Sequence, residues 1–292
     1  MTSRRNALKK MAIATGTVAG VSLTHRIEAA EAALAADLKG RVNHSVCRWC
    51  YSGIPLEELC QAAKNIGLTS IELTGPEEWP VLKKYGLTSA MPNGAGMGIE
   101  KGFNDPKYHD ELVASYQAII PKVANAGLNQ IICFSGNRKG LSDEQGIKNC
   151  AAGLKRLMPV AEKYKVTMVM ELLNSKVNHK DYQCDHTAWG AAVVDSVGSD
   201  AFKLLYDIYH MQIMEGDVIA TIKKYNKYIS HYHTGGVPGR NEIDETQELN
   251  YPAIMKAILE TGFKGFVAQE FIPKRKDKLA SLKQGVQICD VA

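Results

Sequence analysis

The body of this chain carries no excess of either charge. Its formal charge of +4 over 292 residues is concentrated at the start. Residues 1–32 hold five basic and two acidic side chains, leaving 30 basic against 29 acidic in the remainder. A surface so balanced offers no electrostatic footprint for a polyanion, so nucleic acid is excluded as a partner. Long apolar runs are missing too. The stretch 11–23 is too short to cross a bilayer and no later run is longer, so no stable membrane span is expected once the N-terminal segment is removed. Cysteine is present but unorganised: the seven residues Cys47, Cys50, Cys60, Cys133, Cys150, Cys184 and Cys289 are odd in number and scattered, which argues against a small disulfide framework. Cys47-Arg48-Trp49-Cys50 has redox spacing, but no helix starts directly after its first cysteine, and Pro55 opens the next one. These read as buried or pocket-lining thiols. Internal repeats and low-complexity segments are absent as well.

The N-terminus has the order of an export signal. Ser3-Arg4-Arg5-Asn6-Ala7-Leu8-Lys9-Lys10 resembles the twin-arginine signal, with Ala7 where a phenylalanine is usual. A weakly apolar stretch follows over 11–23, and then small residues that offer cleavage sites such as Ala30-Glu31-Ala32. Residues 1–32 are therefore expected to be a removable signal, 33–40 a linker and 41–292 one domain of periplasmic protein. With 45% hydrophobic residues, that length suffices for a core without covalent staples.

Along the body, short apolar runs alternate with amphipathic stretches. Strands are predicted over 41–47, 68–73, 87–91, 129–134, 166–172, 202–207, 228–233 and 266–270. Helices are predicted over 55–67, 81–85, 107–126, 143–164, 187–196, 218–225, 251–260 and 277–288, with Pro55 opening the first and Ser142 capping the fourth. Near-continuous apolar strands need both faces covered. Strand–helix alternation then argues for a parallel sheet, and eight units in this length match a closed α/β barrel, the (βα)8 TIM barrel. An open doubly wound sheet would want a glycine-rich phosphate turn after the first strand. Cys47-Arg48-Trp49 is nothing like one.

Four of these runs end in a residue that can ligate a metal: Glu171, Asp207, His233 and Glu270, separated by 36, 26 and 37 residues. An apolar run that ends in a carboxylate places a charge at the mouth of a sheet, where leaving it unpaired costs several kcal/mol. Neighbouring strand ends lie side by side, so the four side chains are expected to converge on one divalent ion. Three oxygen ligands with one imidazole suit Mn²⁺, Mg²⁺, Co²⁺ or Zn²⁺. His210 stands three residues beyond Asp207 and could hydrogen-bond a substrate oxygen. Arg240, in the Gly/Pro-rich loop after His233, could bind a hydroxyl, carboxylate or phosphate. Asn174 follows the fifth strand within reach of the pocket, and Trp49 closes the first strand as an apolar wall for a sugar.

Glu171-Leu172-Leu173-Asn174, Tyr206-Asp207-Ile208-Tyr209-His210-Met211-Gln212, His231-Tyr232-His233 with Pro238-Gly239-Arg240, and Gln269-Glu270-Phe271 resemble the xylose isomerase-like barrel family, its hydroxypyruvate isomerase and ketose 3-epimerase members in particular. The likeness extends from about 43 to 290. It implies that Glu171, Asp207, His233 and Glu270 bind the metal, that Glu171 and Glu270 double as acid–base catalysts, and that His210 and Arg240 contact substrate. It also implies dimers or tetramers. Histidine at 233 follows the epimerases, since the hydroxypyruvate isomerases carry glutamine there. The expected activity is isomerisation or epimerisation of a small sugar or hydroxy-keto acid: a metal holding a carbonyl and its neighbouring hydroxyl stabilises an enediolate, and glutamates move the proton. Residue types alone do not separate this from a keto-sugar lyase or dehydratase, or from a sugar-binding barrel without turnover. A metal nuclease would show more histidine ligands and a basic groove.

Overall fold

The computed structural model describes residues 38–292. The export signal expected over 1–32 and the start of the linker lie outside them. Seven strands are formed: β1 (Asn43–Cys47), β2 (Ser70–Glu72), β3 (Gln130–Cys133), β4 (Thr167–Glu171), β5 (Phe202–Asp207), β6 (Ile229–Thr234) and β7 (Phe266–Gln269). They pair in parallel in the order β2-β1-β7-β6-β5-β4-β3. The helices are α1 (Leu56–Ile66), α2 (Trp79–Lys84), α3 (His109–Asn125), α4 (Asp143–Lys155), α5 (Met158–Tyr164), α6 (Thr187–Val197), α7 (Ile208–Met214), α8 (Val218–Tyr225), α9 (Tyr251–Glu260) and α10 (Lys278–Cys289). This is the TIM-barrel arrangement of parallel strands returned by helices.

The sheet has seven strands where eight were expected. The segment predicted as the third strand, 87–91, lies between the two edges β2 and β3 but makes a single isolated bridge, Thr88 to Ser70. Two features break its ladder. The Ala90 amide donates to the Ser70 hydroxyl (2.9 Å) in place of a backbone carbonyl. Pro92, with no N–H to give, only accepts, from the Ile132 amide at 3.3 Å. The helix expected over 143–164 is also interrupted, between Lys155 and Met158. Pro159 cannot donate to the carbonyl four residues back and its ring crowds that carbonyl, so a new helix starts around it. Ser142 caps α4 as predicted, accepting from the Gln145 amide at 3.2 Å.

Strand parity positions the site. In β4 and β5, Met168, Met170, Leu204 and Tyr206 pack in the layer between sheet and helices. The alternate residues Val169 and Leu205 join Met91 and Ile132 in a separate cluster on the other face. Two residues on from Val169 and Leu205, the period-2 pleat places Glu171 and Asp207 on that same inner face. The register sets Asp207 beside His233, and His233 beside Ala268.

The glycine-rich loop after the irregular segment is anchored by close backbone approach. A Cβ on Gly102 would press into the Ser135 carbonyl carbon, the Gly136 amide and the Phe134 carbonyl oxygen. Gly102→Ala is therefore expected to lower stability by about 1–3 kcal/mol, read as a fall in Tm on thermal unfolding. An unchanged Tm would show that this loop is not held by that contact.

Candidate functional site

The four strand-end residues meet. Glu171, Asp207, His233 and Glu270 are all buried, and their candidate ligand atoms lie within 4.8 Å of one another. His233 is the hub. Its Nδ1 is 2.9 Å from Glu270 Oε2 and 3.3 Å from Glu171 Oε1, while its Nε2 is 2.8 Å from Glu72 Oε1. Asp207 has a divided role. It is the N-cap of α7, one oxygen accepting from the His210 amide at 3.1 Å, while the other faces Arg240 and the His210 ring. No helix was predicted between the strand 202–207 and the helix 218–225. The carboxylate that caps it also turns the chain sharply at the strand end.

Electrostatically the site is an excess of buried carboxylates. Burial, reinforced by the charge of Glu270, holds the Glu171 carboxyl above its ordinary range. Burial pushes Asp207 up as well, against the pull of Arg240. Glu270 goes the other way: burial would raise it, but Arg240 and His233 together hold it well below the ordinary carboxylate range. Burial alone would lower the His233 imidazole, yet the carboxylates of Glu270 and Glu171 beside it hold it well above its ordinary value. Cys47 itself lies 3.8 Å from His233 Nε2, and burial raises its thiol far out of the range of a thiolate.

Arg240 occupies the mouth of this set. Its Nη2 donates to Glu270 Oε2 at 2.5 Å and lies 3.4 Å from Asp207 Oδ2. The guanidinium is held between the Trp49 and Tyr209 rings, 5.1 and 5.4 Å from their centroids. Its backbone has φ +58°, a left-handed conformation that a non-glycine residue adopts only where its surroundings enforce it. Trp49 is on the short 3-10 turn after β1, and its indole N–H donates to Glu270 Oε1 at 2.8 Å. It is therefore more than an apolar wall.

His210 is buried, and Nδ1 accepts from the Asn174 backbone amide at 3.1 Å. That leaves the proton on Nε2, which has no hydrogen-bond partner and lies 3.6 Å from Asp207 Oδ2. Burial first, and then Arg240, keep this imidazole well below its ordinary pKa, hence neutral. Asn174 is held within its own loop and against His210. Its Oδ1 accepts from the amides of Val177 and Asn178, and its Nδ2 is committed to Asn178 and His210. With its amide spent on the loop, it orients His210 and is not among the residues lining the cavity.

One participant was not singled out from the sequence. Glu72, at the end of β2, is fully buried and shared by two imidazoles, with His231 Nε2 also 2.8 Å from its Oε1. Burial would raise this carboxyl, but His231 and His233 outweigh it and hold it at about 2. The signal available was parity: His231 lies two residues before His233, and Glu72 ends a strand as Glu171 ends another. His179, from the loop after β4, meets the His210 ring at a 60° tilt with centroids 5.2 Å apart and lines the cavity.

That cavity, of about 550 Å³, opens from Glu171 and Glu270 toward the glycine-rich loop. It has one polar end and mostly apolar walls.

A barrel of this kind with four candidate metal ligands at its strand ends defines a fold class, and comparison narrows it. Residues 60–289 match the xylose isomerase-like TIM barrel family, and the chain belongs to it. It is similar to the hydroxypyruvate isomerase of Escherichia coli K12, 29% identical over 228 residues, which cover 73% of this chain and 86% of that one. Among solved structures it resembles a family 2 AP endonuclease of Brucella melitensis (TM-score 0.72, 22% identity, 84% of this chain and 97% of that one). It also resembles the 3-keto-D-glucoside 4-epimerase of E. coli (TM-score 0.70, 17% identity, 84% and 98%).

The Glu72 pairing has a direct consequence. Glu72→Ala strips one acceptor from two buried imidazoles and is expected to destabilise the fold by about 3–5 kcal/mol, read from the denaturant midpoint. A variant as stable as the parent would show that the pair does not anchor this end of the barrel.

Proposed function

We propose that this protein is an isomerase or epimerase of a small sugar or hydroxy-keto acid, with Glu171 and Glu270 as its acid–base pair. The observation that carries the reading is the convergence of three buried carboxylates and one imidazole within 4.8 Å at the end of a ligand-sized cavity. Membership of the family and the isomerase and epimerase among the proteins it resembles support it.

Glu171, Asp207, His233 and Glu270 fit a divalent cation, Mn²⁺, Mg²⁺, Co²⁺ or Zn²⁺. The donor set is hard, with one borderline nitrogen, and Glu171 Oε1 is buried without a hydrogen-bond partner. Such a cation, when bound, supplies Lewis-acid polarisation of a substrate carbonyl. The remaining work falls to the side chains. Glu171 and Glu270 approach from β4 and from the end of β7, one to take the proton from the carbon beside the carbonyl, and the other or the same one to return it. Return to the adjacent carbon is isomerisation, and return to the opposite face is epimerisation. His210, neutral and buried behind the cavity lining with Nε2 3.6 Å from Asp207 Oδ2, orients that carboxylate. Trp49 and Arg240 hold Glu270 in place from two sides. The twin-arginine-like sequence over 1–32 supports a periplasmic setting for this work.

Glu270→Gln is expected to cut solvent deuterium uptake at the carbon beside the carbonyl by about 10²–10⁴-fold, with thermal unfolding of the variant showing a retained fold. Unchanged exchange would remove Glu270 from the mechanism. Dialysis against a chelator is expected to abolish exchange and added Mn²⁺ to restore it. Full activity after exhaustive chelation would overturn the metal assignment.

A further inference from the structure

Most polar side chains that line the cavity are already engaged. Glu171 and Glu270 belong to the candidate cation set. The Trp49 indole N–H donates to Glu270 Oε1, and Arg240 gives Nη2 to Glu270 and Asp207. Asn93 and Lys101 are exposed on the glycine-rich loop. His179 differs from all of these. It is half-buried, lines the cavity beside the acidic set and rests its ring against that of His210. Neither of its ring nitrogens has a hydrogen-bond partner among the described residues. An imidazole held at a cavity wall with both nitrogens free is a hydrogen-bonding site waiting for a ligand atom.

The loop that carries His179 is fixed on both sides of it. The His179 amide donates to the Asn174 carbonyl at 3.0 Å, and its own carbonyl accepts from the Tyr182 amide at 2.9 Å. One residue earlier, Asn178 Oδ1 accepts from the Tyr209 hydroxyl at 2.9 Å. Two residues later, Asp181 has φ +72°, a left-handed conformation that its surroundings enforce. Its carbonyl accepts from the Arg138 amide at 2.7 Å and its carboxylate from the Lys139 amide at 2.8 Å. Tyr182 ties the loop to the reacting end, its hydroxyl donating to the Glu171 carbonyl at 2.9 Å. The imidazole is thereby pre-set relative to Glu171, so little ordering remains when a ligand meets it. Burial first, and then the charge of Arg240, keep the ring below its ordinary pKa. In the uncharged form it offers one N–H donor and one acceptor nitrogen, which matches a hydroxyl.

Resting on the isomerase reading above, we infer that His179 is a specificity-determining residue that hydrogen-bonds a substrate hydroxyl on the far side of the carbonyl. The carbonyl and one neighbouring hydroxyl fall to the acidic set at Glu171 and Glu270. The hydroxyl on the carbonyl's other side falls to the imidazole. The substrate class is then a polyhydroxy ketone, with a hydroxyl on each carbon that flanks the carbonyl. A ketone lacking the second hydroxyl leaves the imidazole unpaired in a half-buried site and is disfavoured for that reason. His179 takes no proton from carbon. It selects and orients the molecule from which Glu171 and Glu270 take one.

The test uses the Mn²⁺-loaded full chain and two ketones that differ in one hydroxyl, dihydroxyacetone and hydroxyacetone. Dissociation constants come from relaxation of ligand protons by the bound Mn²⁺, and kcat/KM from solvent deuterium uptake. The parent is expected to prefer dihydroxyacetone by about tenfold in both. His179→Phe keeps a ring against His210 but removes the hydrogen bond, and should bring the ratio close to unity. His179→Leu serves where the phenylalanine variant does not fold. His179→Gln, which retains a donor and an acceptor, should recover most of the preference. A parent without the preference overturns the inference and leaves the isomerase reading standing. So does a ratio that His179→Phe leaves at the parent value, including an equal loss with both ketones. Absence of exchange with either ketone overturns the isomerase reading, and the ratio of dissociation constants then decides the role of His179. Binding of neither ketone overturns both.

Discussion

Three carboxylates buried at one end of a barrel are the constraint around which this molecule is arranged. Each would be costly alone in a low-dielectric interior, and together they repel one another. The fold answers with two positive or polarisable partners, His233 and Arg240, and then fixes both. His233 is gripped on its far nitrogen by Glu72, a residue His231 also holds. Arg240 is clamped between the Trp49 and Tyr209 rings in a strained backbone conformation. Support of this kind fixes which nitrogen of an imidazole faces the site. Here it leaves Nδ1 turned toward Glu171 and Glu270.

The same strand ends serve structure and chemistry at once. Asp207 finishes β5, caps α7 with one oxygen and leaves the other for the acidic set. The first turn of that helix carries His210, whose tautomer is set by the backbone amide of Asn174 across the mouth. A change at any of these positions disturbs a cap, a loop and a buried imidazole together, so their effects will not add independently.

Beyond the acidic set the molecule changes character. The reacting end is charged and crowded, whereas the cavity leading from it is apolar and roomy. This division lets a shared strand-end chemistry act on different molecules. The carboxylates proposed to move the proton sit at strand ends, and the cavity wall beyond them includes a loop whose close approach at Gly102 ties it to the segment after β3. Folds of this type vary function through such loops.

Much of this was legible in the linear chain. Apolar runs separated by amphipathic stretches announced parallel strands and covering helices, and runs ending in Glu171, Asp207, His233 and Glu270 announced the acidic set, because a charge at the end of a buried strand needs a partner. Local propensity could not show that Ser70 and Pro92 would break the ladder of 87–91, since a hydroxyl competing for an amide in space leaves no periodic trace. Nor could it show that Glu72 belongs to His233, across 161 residues, or that Asn174 turns its amide toward His210. The chain by itself determined which residues carry charge and where each strand stops. Only the tertiary structure decided which of them share a space, because that depends on register and closure between segments distant in sequence, and on which hydrogen-bonding groups are already taken when they arrive.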